Sequence, residues 1–163
     1  MSDTQNISAV PLLSAILAAQ PAQVAETLAA CTPRDVELVD EPAAAILEVV
    51  AELAASGRTT TAETVSAELL RRGMYEGHHG DLIKGRMIDA ASPQYAPEMI
   101  PELGSALLAT VLRARLQAAG EALVSGAPTA PEVDLWNVLL RAGTQIRELR
   151  SRLASVRGEA VTA

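Results

Sequence analysis

The sequence predicts an all-α fold, and three observations carry that reading. Aromatic residues are nearly absent: among 163 residues there is no Phe, one Trp (Trp136) and two Tyr (Tyr75 and Tyr95). The core therefore has to come from Ala, Leu, Val and Ile, and Ala and Leu are the strongest helix formers. Apolar residues also recur at helical spacing along most of the chain. Finally, Pro, Thr, Asp and Gly stand where helix starts and stops require them. The length suits one domain's worth of core. We divide it into a small globular helical bundle over 1–93 and a long antiparallel helical-hairpin arm with a short tail over 94–163.

The elements follow in order. Residues 1–10 read as a loose start. PLLSAILAA (11–19) places Leu12, Leu13, Ile16 and Leu17 on one helical face. Pro21 opens a second helix, since a first-turn proline loses no hydrogen bond. Thr32-Pro33-Arg34-Asp35 combines a cap, a first-turn proline and an acid three positions on, which starts a short helical turn. Asp40 can cap the helix EPAAAILEVVAELAAS, in which Ile46, Val49, Val50 and Leu53 form one stripe. Gly57 can end it in a left-handed conformation. Thr60-x-x-Glu63 reads as the next capping box, with Ala62, Val65 and Leu69 as its stripe, and Gly73 ends that helix after Arg71-Arg72.

A helix near 80–91 follows, stopped by Ser92-Pro93. A long helix is expected from about 96 to 124 and closes at Ser125-Gly126-Ala127-Pro128; Thr129-x-x-Glu132, with Pro131, restarts the chain as a last helix to about 157. Leu135, Leu139, Ala142, Ile146, Leu149, Leu153 and Val156 alternate spacings of four and three, a heptad seam. The preceding helix has a wider stripe: Ile100, Leu103, Leu107, Val111 and Ala114, flanked by Leu108, Leu112, Leu116 and Leu123. That is more apolar surface than one partner helix covers, so another chain or the globular part has to take the surplus.

Charge and composition exclude several functions. Residues 1–80 carry 4 basic and 11 acidic side chains, and residues 81–163 carry 9 of each. Phosphate contacts need a basic surface, so direct DNA binding is not expected, whereas a basic protein partner is compatible with the acidic half. One cysteine, Cys31, rules out an internal disulfide and a Cys-rich zinc site. Residues 4–25 lack charge, but no Lys or Arg precedes them and Pro11, Gln20 and Pro21 interrupt them, so we expect neither signal peptide nor membrane span, and a cytoplasmic location.

The one stretch that raises a chemical question is MYEGHHGDLI (74–83), which holds both histidines. Adjacent His side chains diverge, whereas helical zinc ligands stand at i, i+4. The favoured reading of His78-His79 is a glycine-flanked turn rather than a metal site. There is neither a phosphate loop of the G-x-x-x-x-G-K-[ST] type nor a G-x-S-x-G elbow. Cys31 reads as a small buried apolar residue rather than a nucleophile. Arg141, Arg147, Arg150, Arg152 and Arg157 read as a solvated face, with Glu148 and Arg152 as an i, i+4 pair, rather than a nucleic-acid surface. No enzyme activity, catalytic residue, metal or cofactor is expected.

The order of these pieces resembles the N-terminal, collar-forming domain of the bacterial replicative DNA helicase, the DnaB family. The resemblance covers residues 9–126: PRDVEL (33–38), AAAILEVVAELAASGR (43–58), TTTAETVSAELLRRGM (59–74), GHHGDLIKGRMIDAASP (77–93) and LLATVLRARLQAAGEAL (107–123). The stretch 59–74 is similar to the family's D-x-V-T-V-x-x-E-L-x-x-R-G pattern, although His78-His79 or His79-Gly80 stands where the family has Gly-Gly. The helicase's ATPase motor is not expected in this chain. The resemblance implies a non-enzymatic interaction module of replication that pairs through its hairpin and contacts the helicase, primase or helicase loader. The expected assembly is a homodimer, with Leu108, Leu112, Leu116, Trp136, Leu139 and Ile146 at the interface. The competing expectation is an unrelated helical regulator of the transcription or toxin–antitoxin type.

Overall fold

The structure, a computed structural model, describes residues 8–92 and 95–158. Among them every regular element is helical: α1 (Val10–Ile16), α2 (Pro21–Ala30), α3 (Pro33–Val36), α4 (Glu41–Ala55), α5 (Ala62–Arg71), α6 (Gly77–Ala91), a 3-10 turn (Pro97–Met99), α7 (Ile100–Gly126) and α8 (Glu132–Arg157). No helix of the described residues is long and apolar enough to cross a membrane. The expected loose start, the Pro93 stop, the boundary at 93/94 and the end of the tail lie outside the described residues.

Local chemistry accounts for the helix starts. Thr32 and Asp35 form the expected capping box at α3, with Pro33 in the first turn. Asp40 caps α4 by accepting the Ala43 N–H at 3.3 Å, and the same carboxylate accepts the Ala9 N–H at 3.0 Å and the Arg86 Nε–H at 2.9 Å. One buried carboxylate thus ties the start of α1, the start of α4 and the middle of α6 together. Gly57, at φ +68°, turns the chain out of α4 in the left-handed region that a side chain resists.

Three starts differ from the sequence reading. The cap of α5 is Thr61, whose hydroxyl accepts the Thr64 N–H, while Thr60 is buried. The cap position of α8 is Pro131 itself, with no side-chain cap from Thr129. The histidine pair is not a turn: His78 and His79 lie in the first turn of α6. The physical reason is Gly80. A Cβ there would meet the Tyr75 carbonyl carbon at 2.2 Å, so glycine lets the helix close onto the preceding loop, and the turn itself falls at Gly73 and Gly77, both at φ +70°.

α4 is the central helix, packed against α1, α2, α3, α5 and α6. Its buried set is wider than the single expected stripe: Ala43, Ala44, Leu47 and Ala54 join Ile46, Val49, Val50 and Leu53. A helix with neighbours around most of its circumference has to be apolar around most of it. At its end, Glu52 and Glu68 hold Arg72, and Glu68 also binds Arg71 through Nε at 3.0 Å. This cluster fastens α4 to α5. Hydrogen bonds from Arg71 and Arg72 hold the Glu68 carboxyl down at about 2.

α7 and α8 pack along each other more extensively than any other helix pair. Arg157 Nε donates to Ser105 Oγ at 3.0 Å near the start of α7, and Leu135 packs on Gly126 at its end. The buried cluster runs without a break from α1–α6 into Ile100, Leu107, Leu108, Val111, Leu149 and Leu153.

Candidate interaction surface

The α7–α8 pair has two unlike halves. Its inner half is locked to the bundle through Arg152. That guanidinium forks onto Asp35, with Nη2 at 3.1 Å from Oδ1 and Nη1 bonded to Oδ2, and Nη1 also donates to the Ala30 carbonyl at 3.0 Å. Asp35 already accepts the Thr32 N–H at 3.1 Å and its hydroxyl at 2.6 Å. The capping box of α3 therefore doubles as the docking point for α8. Burial pushes the Asp35 carboxyl up, but the bonds from Arg152 and Thr32 outweigh this and hold it below the usual range. Cys31 lies beside the pair and is buried, as expected. Burial and the Asp35 charge push its thiol up to about 12. A thiol held protonated is a poor nucleophile.

The Arg152 arrangement corrects the sequence reading, in which Arg152 pairs with Glu148 on a solvated face. The acid it binds lies 117 residues away. A partner that distant leaves no trace in helix periodicity.

The outer half is different. Beyond Val111 no residue of α7 is buried, and before Leu149 none of α8 is. Six large apolar side chains there are between 46% and 77% exposed: Leu116, Val124, Val133, Trp136, Leu139 and Leu140. Val133, Trp136 and Leu140 are spaced i, i+3, i+7, so they share one face of α8, away from seam residues Leu135, Ala142 and Leu149. The seam spacing correctly marks Leu149 and Leu153 as buried, but Leu139 is 46% exposed. The Leu135–Gly126 and Arg157–Ser105 contacts set a register that places Leu139 level with Ala122 and Leu123 of α7.

The six residues expected at an interface fall into three groups. Leu108 is fully buried in the intramolecular core, packed where α7 meets the bundle. Leu112 and Ile146 are half-buried between helices. Leu116, Trp136 and Leu139 are exposed on the outer half. Val124, Val133 and Leu140 also belong to this surface but escape the sequence reading. The signal for two of them was present in the apolar spacing of 133, 136 and 140, on the side of the helix opposite the heptad seam.

The other chemical candidates do not converge. His79 Nδ1 lies 3.4 Å from Glu41 Oε2 on the surface. Among the described residues, no group of three or more His, Cys, Asp or Glu side chains is arranged to hold a metal ion. No family model matches this chain, and neither does any curated protein or solved structure.

Proposed function

We propose that the chain is a non-enzymatic protein–protein interaction module of DNA replication, of the helicase N-terminal-domain type, acting in the cytoplasm. In this reading α7 and α8 form an antiparallel helical hairpin whose outer half pairs with a second copy to make a homodimer. The replicative helicase, the primase or the helicase loader is the further partner. The observation that carries the reading is the outer half itself: exposed Trp136, Leu139, Leu140 and Leu116 on two long helices whose inner halves are firmly held. Large apolar side chains left in water favour association, and a tryptophan among them is a typical anchor. The order and spacing of the motifs over residues 9–126 supports the assignment to replication.

Two measurements test it. Sedimentation equilibrium at micromolar concentration is expected to show a dimer for the native chain and a monomer for Leu139→Glu. Affinity capture from native extract is expected to retain helicase, primase or loader with the native chain and to lose it with the variant. A monomeric native chain overturns the pairing. A dimer that captures transcription or toxin–antitoxin components in place of replication proteins overturns the replication role and favours the helical regulator.

A further inference from the structure

We infer that a second groove between α7 and α8, separate from the exposed apolar surface, binds a small monocarboxylate with a short apolar body. The half-open groove has a volume of about 190 Å³ and is lined by Leu38, Ala119, Val138, Ala142 and Ile146, with Arg115 entering from α7 and Arg141 and Gln145 from α8. No carboxylate lines it. Leu116, Trp136 and Leu139 lie outside its lining, whereas Ile146 belongs to it.

The buried, unpartnered Arg115 Nε is what sets this groove apart. Arg71, Arg72, Arg86 and Arg152 each hold a carboxylate. Arg115 and Arg141 pair with no acid among the described residues, although both line the same small space. The Arg115 Nε–H is shut off from solvent and has no acceptor. A buried N–H of a charged group without a partner is unfavourable. Because that guanidinium makes no hydrogen bond within the described residues, it can turn onto an incoming oxyanion without breaking an existing bond. Arg141 and Gln145 are i, i+4 neighbours and so present their side chains on one face of α8.

The chemistry of the lining selects the ligand. Guanidinium groups bind carboxylates through paired N–H···O bonds, and the Gln145 amide supplies a further donor. The alanine, valine and leucine walls favour a carbon chain over a fully hydrated anion. The groove is small, about 190 Å³, and open on one side. That accommodates a short acid but not a peptide segment.

The test uses the full chain, labelled with ¹⁵N and titrated with hexanoate, hexylammonium and inorganic phosphate in turn. Hexanoate is expected to shift the Arg115 Nε–H signal and the Val138 and Ala142 amides in a saturable manner. Arg141→Gln, at an exposed position, is expected to weaken that binding by about tenfold while circular dichroism stays unchanged. Ala118→Leu, also exposed and on the groove wall, is expected to block it. Phosphate binding as tightly as hexanoate, equal shifts with hexylammonium, no saturable shift at all, or an unaffected Arg141→Gln would each overturn the inference.

Discussion

The inner and outer halves of the α7–α8 pair have similar apolar content and opposite fates. The inner half carries Ile100, Leu107, Leu108, Val111, Leu149 and Leu153, all buried. The outer half carries Leu116, Val124, Val133, Trp136, Leu139 and Leu140, all substantially exposed. The difference is not in the side chains but in what stands beside them. The inner half lies against α1, α2 and α3 and is clamped by Arg152 on Asp35. The outer half has its partner helix and little else, with Leu38 reaching it from the bundle. Apolar content thus marks what a helix could bury, while neighbours decide what it does bury.

The same kind of truncation in each half separates the two most strongly. Leu108→Ala empties a fully enclosed site and is expected to cost about 2–5 kcal/mol of unfolding free energy, read from urea denaturation. An equal cost for an outer-half truncation would mean the outer half is covered within a single chain.

The second prediction removes the clamp. Asp35→Asn keeps the shape but loses the charge that Arg152 binds, and is expected to cost about 1.5–3 kcal/mol. The same variant is expected to raise the rate at which Cys31 reacts with iodoacetamide, because the packed cover over the thiol loosens and the neighbouring negative charge is gone. Unchanged Cys31 reactivity would show that α8 stays docked without the clamp.

A smaller effect concerns pH. Glu68 has a folded-state carboxyl at about 2, below its unfolded value of ~4.3. Its contribution is present above the unfolded value and is lost as pH falls from there through about 2. Asp35 is also depressed and adds loss in the same direction. Acid titration of stability over this window is therefore expected to be flatter for Glu68→Gln than for the native chain, and parallel curves would remove Glu68 from the account.

The smallest expected effect is the most informative for function. Trp136→Ala and Leu140→Ala, on the exposed face of α8, are each expected to change the stability of the isolated chain by less than about 0.5 kcal/mol. Both are nevertheless expected to weaken dimerisation in sedimentation. A large stability loss with no change in association would place these side chains in the fold rather than at a contact.

The features legible in the chain's order of residues are local. The Thr32–Asp35 box, the Asp40 cap, the glycine stop at Gly57, the helical stripes and the buried seam residues Leu149 and Leu153 all rest on neighbours within a few turns, and such interactions are written in spacing. Even there the detail slipped by a residue where two threonines compete to cap α5, and the histidine turn became helix because Gly80 meets Tyr75. Helix packing alone sets Asp35 to serve both its own helix and Arg152, gathers α1, α4 and α6 on Asp40, and turns Leu108 to the core while Leu139 stays exposed. These depend on groups far apart in the chain that meet only when the helices pack. Charge pairing and burial act through distance in space, and a linear pattern of one helix carries no information about which distant helix will lie beside it.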